Sequence, residues 1–410
     1  MERMWDSLDA DAVDLRRQNL WRHLRVIETS NGPIIRVAEQ DLVNFSSNDY
    51  LGLAASDFLT DALLEGVEKY GAGAGASRLV CGTHTAHIEL ERVLADFKGT
   101  ESALTFSSGF ATAMGVIPAL MGPGDTILLD KLSHACLVDA ARLSGATVRV
   151  FPHNHLVKLE RLLSSAVGRV LVVTESIFSM DGDAAALADI VSLKDRHGAW
   201  LLLDEAHAVG VLGPDGRGLA AELGLESRVN LQMGTLSKGL GLCGGYVAAS
   251  KVVTEWLVNR ARSFIYSTAP PPSIAAAATA AIGWVRSNAG ANARKALHDR
   301  IAQLVGGLGL APSESAIVPL IVGEEKRALD LSSELRDEGF LIPAIRYPTV
   351  ARDSARLRVT LSASHTEDQV DQLVAAIRGR HAFSGSRLAS TPDAEERAAV
   401  HAAEATREQH

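Results

Sequence analysis

Short apolar runs and amphipathic segments alternate along the chain from about residue 100 onward. The apolar runs are rich in leucine and β-branched residues, which is typical of buried strands. We predict strands at Ala103–Phe106, Thr126–Asp130, Thr147–Phe151, Arg169–Thr174, Trp200–Asp204 and Asn230–Thr235, with helices over residues 134–144, 156–165 and 187–197. This alternation predicts an α/β fold with a largely parallel central sheet that is covered by helices on both faces.

The segments that flank this block also carry helix signals. Apolar residues recur at helical spacing over Leu90–Phe97, and Gly99 follows as a stop signal. After about residue 290 the pattern is that of a smaller α+β module, whose last helix begins with a capping box formed by Thr366 and Gln369. We therefore predict four parts, namely an N-terminal segment (1–45), a large domain (46–290), a small C-terminal domain (291–380) and a mobile tail (381–410).

The composition excludes several classes of partner. The chain has 40 Lys and Arg against 49 Asp and Glu, and its net charge of -9 disfavours general binding to nucleic acid or to an anionic membrane. Its three cysteines form no CxxC pair, so we expect neither a disulfide framework nor a metal site. The N-terminus lacks the apolar core of a signal peptide, and no apolar run approaches membrane-spanning length. We expect a soluble, cytoplasmic protein.

Ionisable residues follow the strand predicted at Trp200–Asp204. Asp204, Glu205 and His207 come at its carboxyl end, which is where sheets of this kind bind ligands. An ordinary polar strand end is the common alternative. The letters also match the DEAH box of helicases, but such proteins require an upstream G-x-x-x-x-G-K-[ST] loop, and this chain has none.

A lysine follows the next predicted strand, in the run Gly234-Thr-Leu-Ser-Lys-Gly-Leu-Gly241. Taken alone, Lys238 would more often be a solvated loop charge. Its pairing with Asp204 favours another interpretation, because pyridoxal phosphate needs both a Schiff-base lysine and a carboxylate that keeps its pyridine nitrogen protonated. Lys238 and Asp204 fit these two roles.

Two further motifs are consistent with a bound phosphorylated ring. The run Phe106-Ser-Ser-Gly-Phe-Ala-Thr112 passes from a strand end to a helix start, where backbone N–H groups bind phosphate and Gly109 permits close approach. A plain capped helix is equally compatible with that run. His134 is more commonly a buried core residue, although its flat ring could also cover a cofactor face.

Taken together, these motifs resemble the α-oxoamine synthases, which condense an amino acid with an acyl-CoA and release carbon dioxide. The matching runs, which keep their order and spacing over about residues 15–380, are Asn44-Phe-Ser-Ser-Asn-Asp-Tyr-Leu-Gly-Leu53, Ser77-Arg-Leu-Val-Cys-Gly-Thr83, Phe178-Ser-Met-Asp-Gly182, Asp204-Glu-Ala-His207 and Gly234-Thr-Leu-Ser-Lys238. The resemblance implies an aspartate-aminotransferase-like (fold type I) transferase that uses pyridoxal 5'-phosphate.

The resemblance also implies roles for individual residues. Lys238 carries the cofactor as a Schiff base and moves the α-proton, Asp204 pairs with the pyridine nitrogen, and His134 stacks on the ring. Asn48 lies near the reacting centre, and His207 contacts the ring oxygen. The remaining cofactor contacts that the resemblance implies are Gly109, Phe110, Ser179 and Thr235, together with Ser267 and Thr268, which would reach the phosphate of a second subunit. A homodimer with shared active sites is therefore implied.

Within the family, the run Ala344-Ile-Arg-Tyr-Pro-Thr-Val350 resembles the branch that uses a dicarboxylic acyl chain, since Arg346 offers a cation for a distal carboxylate. By resemblance, Arg22 and Thr349 also belong with the acyl substrate, and Arg358 takes the amino-acid carboxylate. The implied reaction joins L-alanine to pimeloyl-CoA, or to a pimeloyl carrier-protein thioester, and forms 8-amino-7-oxononanoate in biotin biosynthesis.

Two alternatives remain open at this point. A sibling enzyme would use glycine with acetyl-CoA or succinyl-CoA, or serine with a long acyl chain. A non-catalytic family subunit is the other alternative, although such subunits can lose the lysine and Lys238 is present here.

Overall fold

The computed structural model describes residues 5–380, so the tail predicted over 381–410 lies outside the described residues. The chain divides into two compact units. Of the described residues, the larger unit holds Asn48–Leu297, and the smaller one combines residues 5–47 with residues 298–380.

A seven-stranded sheet forms the centre of the larger unit. In spatial order its strands are β3 (Ser102–Phe106), β9 (Gly245–Ala249), β8 (Leu231–Thr235), β7 (Trp200–Asp204), β6 (Val170–Glu175), β4 (Thr126–Asp130) and β5 (Thr147–Phe151). Strand β9 runs antiparallel to both of its neighbours, and the other pairings are parallel. The prediction of a largely parallel α/β sheet is confirmed, and each predicted strand is present within a residue or so; β9 was not predicted.

Helices cover this sheet, and two groups of buried side chains pack against it. One group places Leu129, Val173 and Leu202 against helices that include α4 (Gly109–Leu120) and α5 (Ala135–Leu143). The other lies with α2 (Asp57–Tyr70), α3 (Thr85–Lys98) and α11 (Pro272–Arg286). The remaining helices of this unit are α6 (Leu156–Ser164), α7 (Leu187–Arg196), α8 (Leu219–Glu222), α9 (Lys251–Arg260) and α10 (Arg262–Ile265). Helix α3 ends at Gly99 as predicted, in a left-handed conformation with φ 67°.

The smaller unit contains two three-stranded sheets. In the first, β2 (Gln40–Asn44) pairs antiparallel with β1 (Ile34–Val37) and parallel with β11 (Phe340–Leu341). In the second, β13 (Ala355–Thr360) lies between β10 (Ile317–Gly323) and β12 (Ala344–Ile345). The helices of this part are α1 (Asp6–Arg17), α13 (Glu325–Asp337) and α14 (Glu367–Arg378), and α12 (Asn288–Leu308) connects the larger unit to it.

The predicted capping box at the last helix is confirmed. The Thr366 hydroxyl accepts the backbone N–H of Gln369 at 3.2 Å, and the Gln369 side chain accepts the backbone N–H of Thr366 at 3.0 Å. Among residues 5–380, no helix combines the length and the apolarity that crossing a membrane requires. The cytoplasmic location stays a prediction.

Candidate active site

The carboxyl ends of β6, β7 and β8 and the start of α4 surround a cavity of about 230 Å³. Because these strands run parallel, the residues that follow them meet at one edge of the sheet. Some of the residues that line this cavity were predicted as site residues from the sequence, and others were not. The lining residues are Ser108, Gly109, Phe110, His134, Cys136, Glu175, Asp204, Ala206, His207, Met233, Gly234, Thr235, Ser237 and Lys238.

Asp204 and Lys238 both line this cavity, one at the end of β7 and the other in the loop after β8. Asp204 is 6% exposed, and its Oδ1 accepts the backbone N–H of Ala206 at 2.9 Å. Burial raises the pKa of Asp204, and the positive charge of Lys238 opposes that shift. A carboxylate and an amine thus line the same cavity, which is the arrangement that a protonated pyridine nitrogen and its lysine require.

A chain of successive hydrogen bonds runs from Lys238 through His207 and Tyr50 to Asn48. Its Nζ lies 2.7 Å from His207 Nε2, and His207 Nδ1 lies 2.5 Å from the Tyr50 hydroxyl, which donates to Asn48 Oδ1 at 3.2 Å. Since the Tyr50 hydroxyl has one hydrogen and gives it to Asn48, His207 donates from Nδ1 and accepts from Lys238 at Nε2. The predicted residues Asn48, His207 and Lys238 therefore form one chain, which Tyr50 completes.

The start of α4 and the loop after β8 form a small cradle. Ser108 caps the helix by accepting the backbone N–H of Ala111 at 3.0 Å. The first N–H groups of a helix have no partner within it, so those at the start of α4 can bind a ligand. The Thr235 hydroxyl lies 2.7 Å from that of Ser237. A methyl group on Gly245 would come within 2.5 Å of the Gly109 backbone nitrogen, whereas one on Gly109 would make ordinary contact with Thr235. The close packing of β9 against the start of α4 therefore requires a glycine at position 245, and the role of Gly109 toward a phosphate stays a prediction.

His134 precedes α5 as its N-cap residue and lines the cavity. Its Nδ1 accepts the backbone N–H of Cys136 at 3.2 Å, so that nitrogen is unprotonated. Burial lowers the pKa of His134. A neutral, flat imidazole at this position suits the predicted stacking role.

Three of the predicted cofactor residues do not line the cavity in the described part of the chain. Ser179 is buried in the loop after β6, and its backbone N–H bonds to Glu175. Thr268 forms an antiparallel bridge with Ser77, and Ser267 precedes it, half-buried. The roles assigned to Ser179, Ser267 and Thr268 stay predictions.

Glu175, Cys136 and Tyr50 were missed from the sequence. Glu175 is 2% exposed at the end of β6, beside Asp204 in the strand register. The available signal was the same as for Asp204, namely an acidic residue at the end of an apolar strand. The predicted strand stopped one residue earlier, at Thr174, so Glu175 fell outside it.

A half-buried histidine, His153, bridges the end of β4, which leads into the loop that carries His134, and the loop that carries Ser179. His153 Nδ1 lies 3.1 Å from Asp130 Oδ1, and its Nε2 lies 2.6 Å from Asp183 Oδ2. Burial alone would lower the pKa of His153, but the hydrogen bonds to the two carboxylates outweigh burial and raise the pKa to about 10. His153 is therefore a cation at neutral pH, held between two anions.

This ion pair predicts a pH-dependent contribution to stability. Because the folded-state pKa of His153 lies above its unfolded value of about 6.5, the contribution is full below that value and is lost as the pH rises through about 10. His153→Asn should lower the free energy of unfolding by on the order of 3 kcal/mol at pH 6 and by much less at pH 10. Urea unfolding of both proteins at the two pH values measures this, with the exposed His23→Asn as control; equal losses at both pH values would refute it.

The predicted acyl-substrate residues form a cluster in the smaller unit. Arg22 Nη2 donates to the Thr349 hydroxyl at 3.1 Å, and Arg346 Nη1 donates to the carbonyl oxygen of Asn19. Burial lowers the pKa of Arg346, and the nearby charges of Arg22 and Arg25 lower it further. Guanidinium groups that repel one another in this way favour an anion between them.

Arg358 lies on β13, the strand that pairs with β12, and is 5% exposed. An apolar cavity of about 480 Å³ adjoins Arg22. Its lining residues, all from the smaller unit, are Leu15, Leu20, Trp21, Arg22, Tyr347 and Pro348.

Known proteins resemble this chain over most of its length. The family model of aminotransferase class I and II matches residues 40–377. An 8-amino-7-oxononanoate synthase of Geobacter sulfurreducens is 47% identical over 91% of this chain and 97% of its own, and one of Herminiimonas arsenicoxydans is 44% identical over 91% and 98%.

Two solved structures have the same fold as this chain. A serine palmitoyltransferase of S. paucimobilis, with bound PLP and myriocin, superposes with a TM-score of 0.86 at 30% identity, covering 92% of this chain and 96% of its own. The 8-amino-7-oxononanoate synthase of Francisella tularensis gives a TM-score of 0.70 at 28% identity, covering 82% and 97%. The chain belongs to the aminotransferase class I and II family, and within it to the group of the 8-amino-7-oxononanoate synthases.

Proposed function

We propose that this protein condenses L-alanine with a pimeloyl thioester, either pimeloyl-CoA or a pimeloyl carrier protein, to form 8-amino-7-oxononanoate. The observation that carries this proposal is the shared cavity of Lys238 and Asp204 in a chain whose relatives bear the name of that synthase. The reaction releases carbon dioxide and the thiol, and it serves biotin biosynthesis.

The cavity residues fit pyridoxal 5'-phosphate. Lys238 would hold it covalently, Asp204 would pair with its ring nitrogen, and His134 would cover one face of the ring. The N–H groups at Gly109 and the Thr235 hydroxyl would bind its phosphate. When bound, this cofactor supplies an electron sink for the negative charge that develops at the amino-acid Cα.

The hydrogen-bonded chain behind Lys238 supports a role in proton transfer. Lys238 Nζ would take the α-proton of alanine and later return a proton to the same carbon. His207 Nε2, which accepts from Lys238, keeps the amine directed into the cavity, and Tyr50 and Asn48 fix the orientation of His207. Between the two proton transfers, a bond forms from Cα to the acyl carbonyl carbon, the C–S bond breaks, and the alanine carboxylate leaves as carbon dioxide.

The smaller unit supports a dicarboxylic acyl substrate. The cluster of Arg22, Arg25 and Arg346 offers positive charge to the distal carboxylate, and the apolar cavity beside Arg22 suits a chain of methylene groups. Arg358 is proposed to bind the alanine carboxylate. We further propose a homodimer in which Ser267 and Thr268 reach the cofactor phosphate of the second subunit.

A substrate panel tests the proposed function. Purified protein would be offered alanine, glycine or serine, each with pimeloyl-, succinyl-, acetyl- and palmitoyl-CoA, and thiol release would be followed. We expect the highest kcat/KM for alanine with pimeloyl-CoA. Preference for glycine with a short acyl group, or for serine with palmitoyl-CoA, would assign the chain to a sibling activity instead.

Substituting Arg346 tests the choice of acyl chain. If its guanidinium binds the distal carboxylate, that contact stabilises the substrate by about 1.5–3 kcal/mol. Arg346→Ala should therefore lower kcat/KM for pimeloyl-CoA by roughly one to two powers of ten, with little effect on heptanoyl-CoA, which lacks the distal carboxylate.

Two controls accompany this comparison. The exposed Arg17→Ala should leave both substrates unaffected, and the KM for alanine should hardly change in Arg346→Ala. Equal losses with charged and uncharged acyl chains would show that Arg346 is structural.

A further inference from the structure

We propose that Glu175 is a positioning residue that fixes the loops carrying His134 and Ser179, the two residues assigned to the cofactor ring. The inference rests on the proposed function only in requiring pyridoxal phosphate in the cavity. No role for Glu175 follows from the sequence motifs considered above.

Glu175 lies at the edge of the sheet that faces the cavity. It is the last residue of β6 and pairs in register with Asp204, the last residue of β7. Its side chain lines the cavity and is 2% exposed. The carboxyl group therefore lies at the same level of the sheet as the carboxylate assigned to the ring nitrogen.

The Glu175 carboxyl binds the backbone of both neighbouring loops. Its Oε1 accepts the N–H of His134, at the end of the loop that follows β4. It also accepts the N–H of Ser179, in the loop that follows β6. One acceptor thus sets the position of the residue assigned to the ring face and of the residue assigned to the ring oxygen.

A neutral Glu175 carboxyl can accept hydrogen bonds without placing a second negative charge beside Asp204. Burial raises its pKa, and the neighbouring Asp204 raises it further. Two adjacent buried carboxyl groups do not both ionise readily, and Asp204 is the one assigned to a cationic ring nitrogen. A neutral Glu175 still offers a carbonyl oxygen to the two amides, so glutamine should reproduce its function.

The test compares three variants of the full-length protein. Glu175→Gln keeps the carbonyl acceptor, Glu175→Met keeps the size but removes every acceptor, and Glu175→Asp withdraws the carboxyl from the two amides. Thr174→Val is the matched control, because Thr174 is the buried neighbour on β6 and its hydroxyl has no hydrogen-bond partner among residues 5–380. The readouts are the affinity of the cofactor-free protein for pyridoxal phosphate, the visible circular dichroism of the bound cofactor, and the melting temperature.

We expect Glu175→Gln and Thr174→Val to bind the cofactor within about threefold of the wild type, with the same circular dichroism. Glu175→Met should bind roughly tenfold or more weakly, with reduced circular dichroism, because two buried N–H groups lose their acceptor. Glu175→Asp should also bind the cofactor more weakly than the wild type. If the methionine variant does not fold, the aspartate variant tests the proposal in its place.

Two results would overturn the proposal. Glutamine and methionine variants that are equally impaired would show that charge, not the acceptor, is what matters. Wild-type affinity and dichroism in the methionine and aspartate variants, with only a lower melting temperature, would show a purely structural role. A wild-type protein that binds the cofactor but rejects alanine and pimeloyl-CoA would disprove the proposed function alone.

Discussion

Lys238→Ala should lower turnover of alanine and pimeloyl-CoA by roughly three to four powers of ten, the largest effect expected of any single change. The variant loses both the covalent attachment point for the cofactor and the amine that moves the α-proton. Its fold should persist, since Lys238 lies in a loop that lines the cavity rather than in the core. Steady-state thiol release measures the loss, and the exposed Lys251→Ala serves as the control.

Chemical trapping locates the attachment point independently of turnover. Borohydride reduction of the wild-type protein with its cofactor should erase the visible absorbance band and leave the cofactor on the peptide that contains Lys238. A label on any other lysine would disprove the assignment, whatever the activity of Lys238→Ala.

Asp204→Asn should slow exchange of the alanine α-proton by two or more powers of ten. The substitution keeps the shape of the side chain but removes the negative charge that holds the ring nitrogen protonated, so less charge can be stored when the α-proton leaves. Binding of alanine should change much less, since that role is assigned to Arg358.

Proton exchange in deuterated water, followed by NMR, measures this effect without the acyl substrate. Asp189→Asn, which alters an exposed carboxylate on α7, is the matched control. Near-wild-type exchange in Asp204→Asn would mean that another residue serves the ring nitrogen.

The larger unit was predictable because six of the seven strands of its sheet are buried on both faces, β5 being the exception. In the sequence such strands are continuous apolar runs, and the helices between them carry apolar residues at helical spacing. Strand β9 escaped because Gly245-Tyr-Val-Ala-Ala249 is rich in small residues and follows a glycine-rich loop, so no strong signal separates it from that loop. Its place between β3 and β8 depends on contacts that are distant in sequence.

The candidate site was predictable where a residue follows a strand or begins a helix. Asp204, Lys238 and Gly109 were found in this way, and all three line the cavity, whereas the role of Thr235 was implied only by the family resemblance. Tyr50 was missed because its hydroxyl reaches His207 through the tertiary fold, which no local pattern reports.

The smaller unit shows the limit of the same reasoning. The pairing of β2 with β11 joins segments that are about 300 residues apart, and no sequence pattern in either strand indicates which strand it pairs with. Arg22 and Thr349 were assigned together only by resemblance, and the hydrogen bond between them now gives that assignment a geometric basis. Their contact with an acyl chain stays a prediction.

The most direct test of the proposed reaction follows the carboxyl carbon of alanine and the rest of the alanine molecule separately. The protein would be incubated with pimeloyl-CoA and L-alanine that carries carbon-13 at the carboxyl carbon, and the products would be analysed by mass spectrometry. We expect the label to leave entirely as carbon dioxide, in equal amount to an unlabelled product with the mass of 8-amino-7-oxononanoate. Label retained in an acylated product, or thiol release without labelled carbon dioxide, would contradict the decarboxylative condensation.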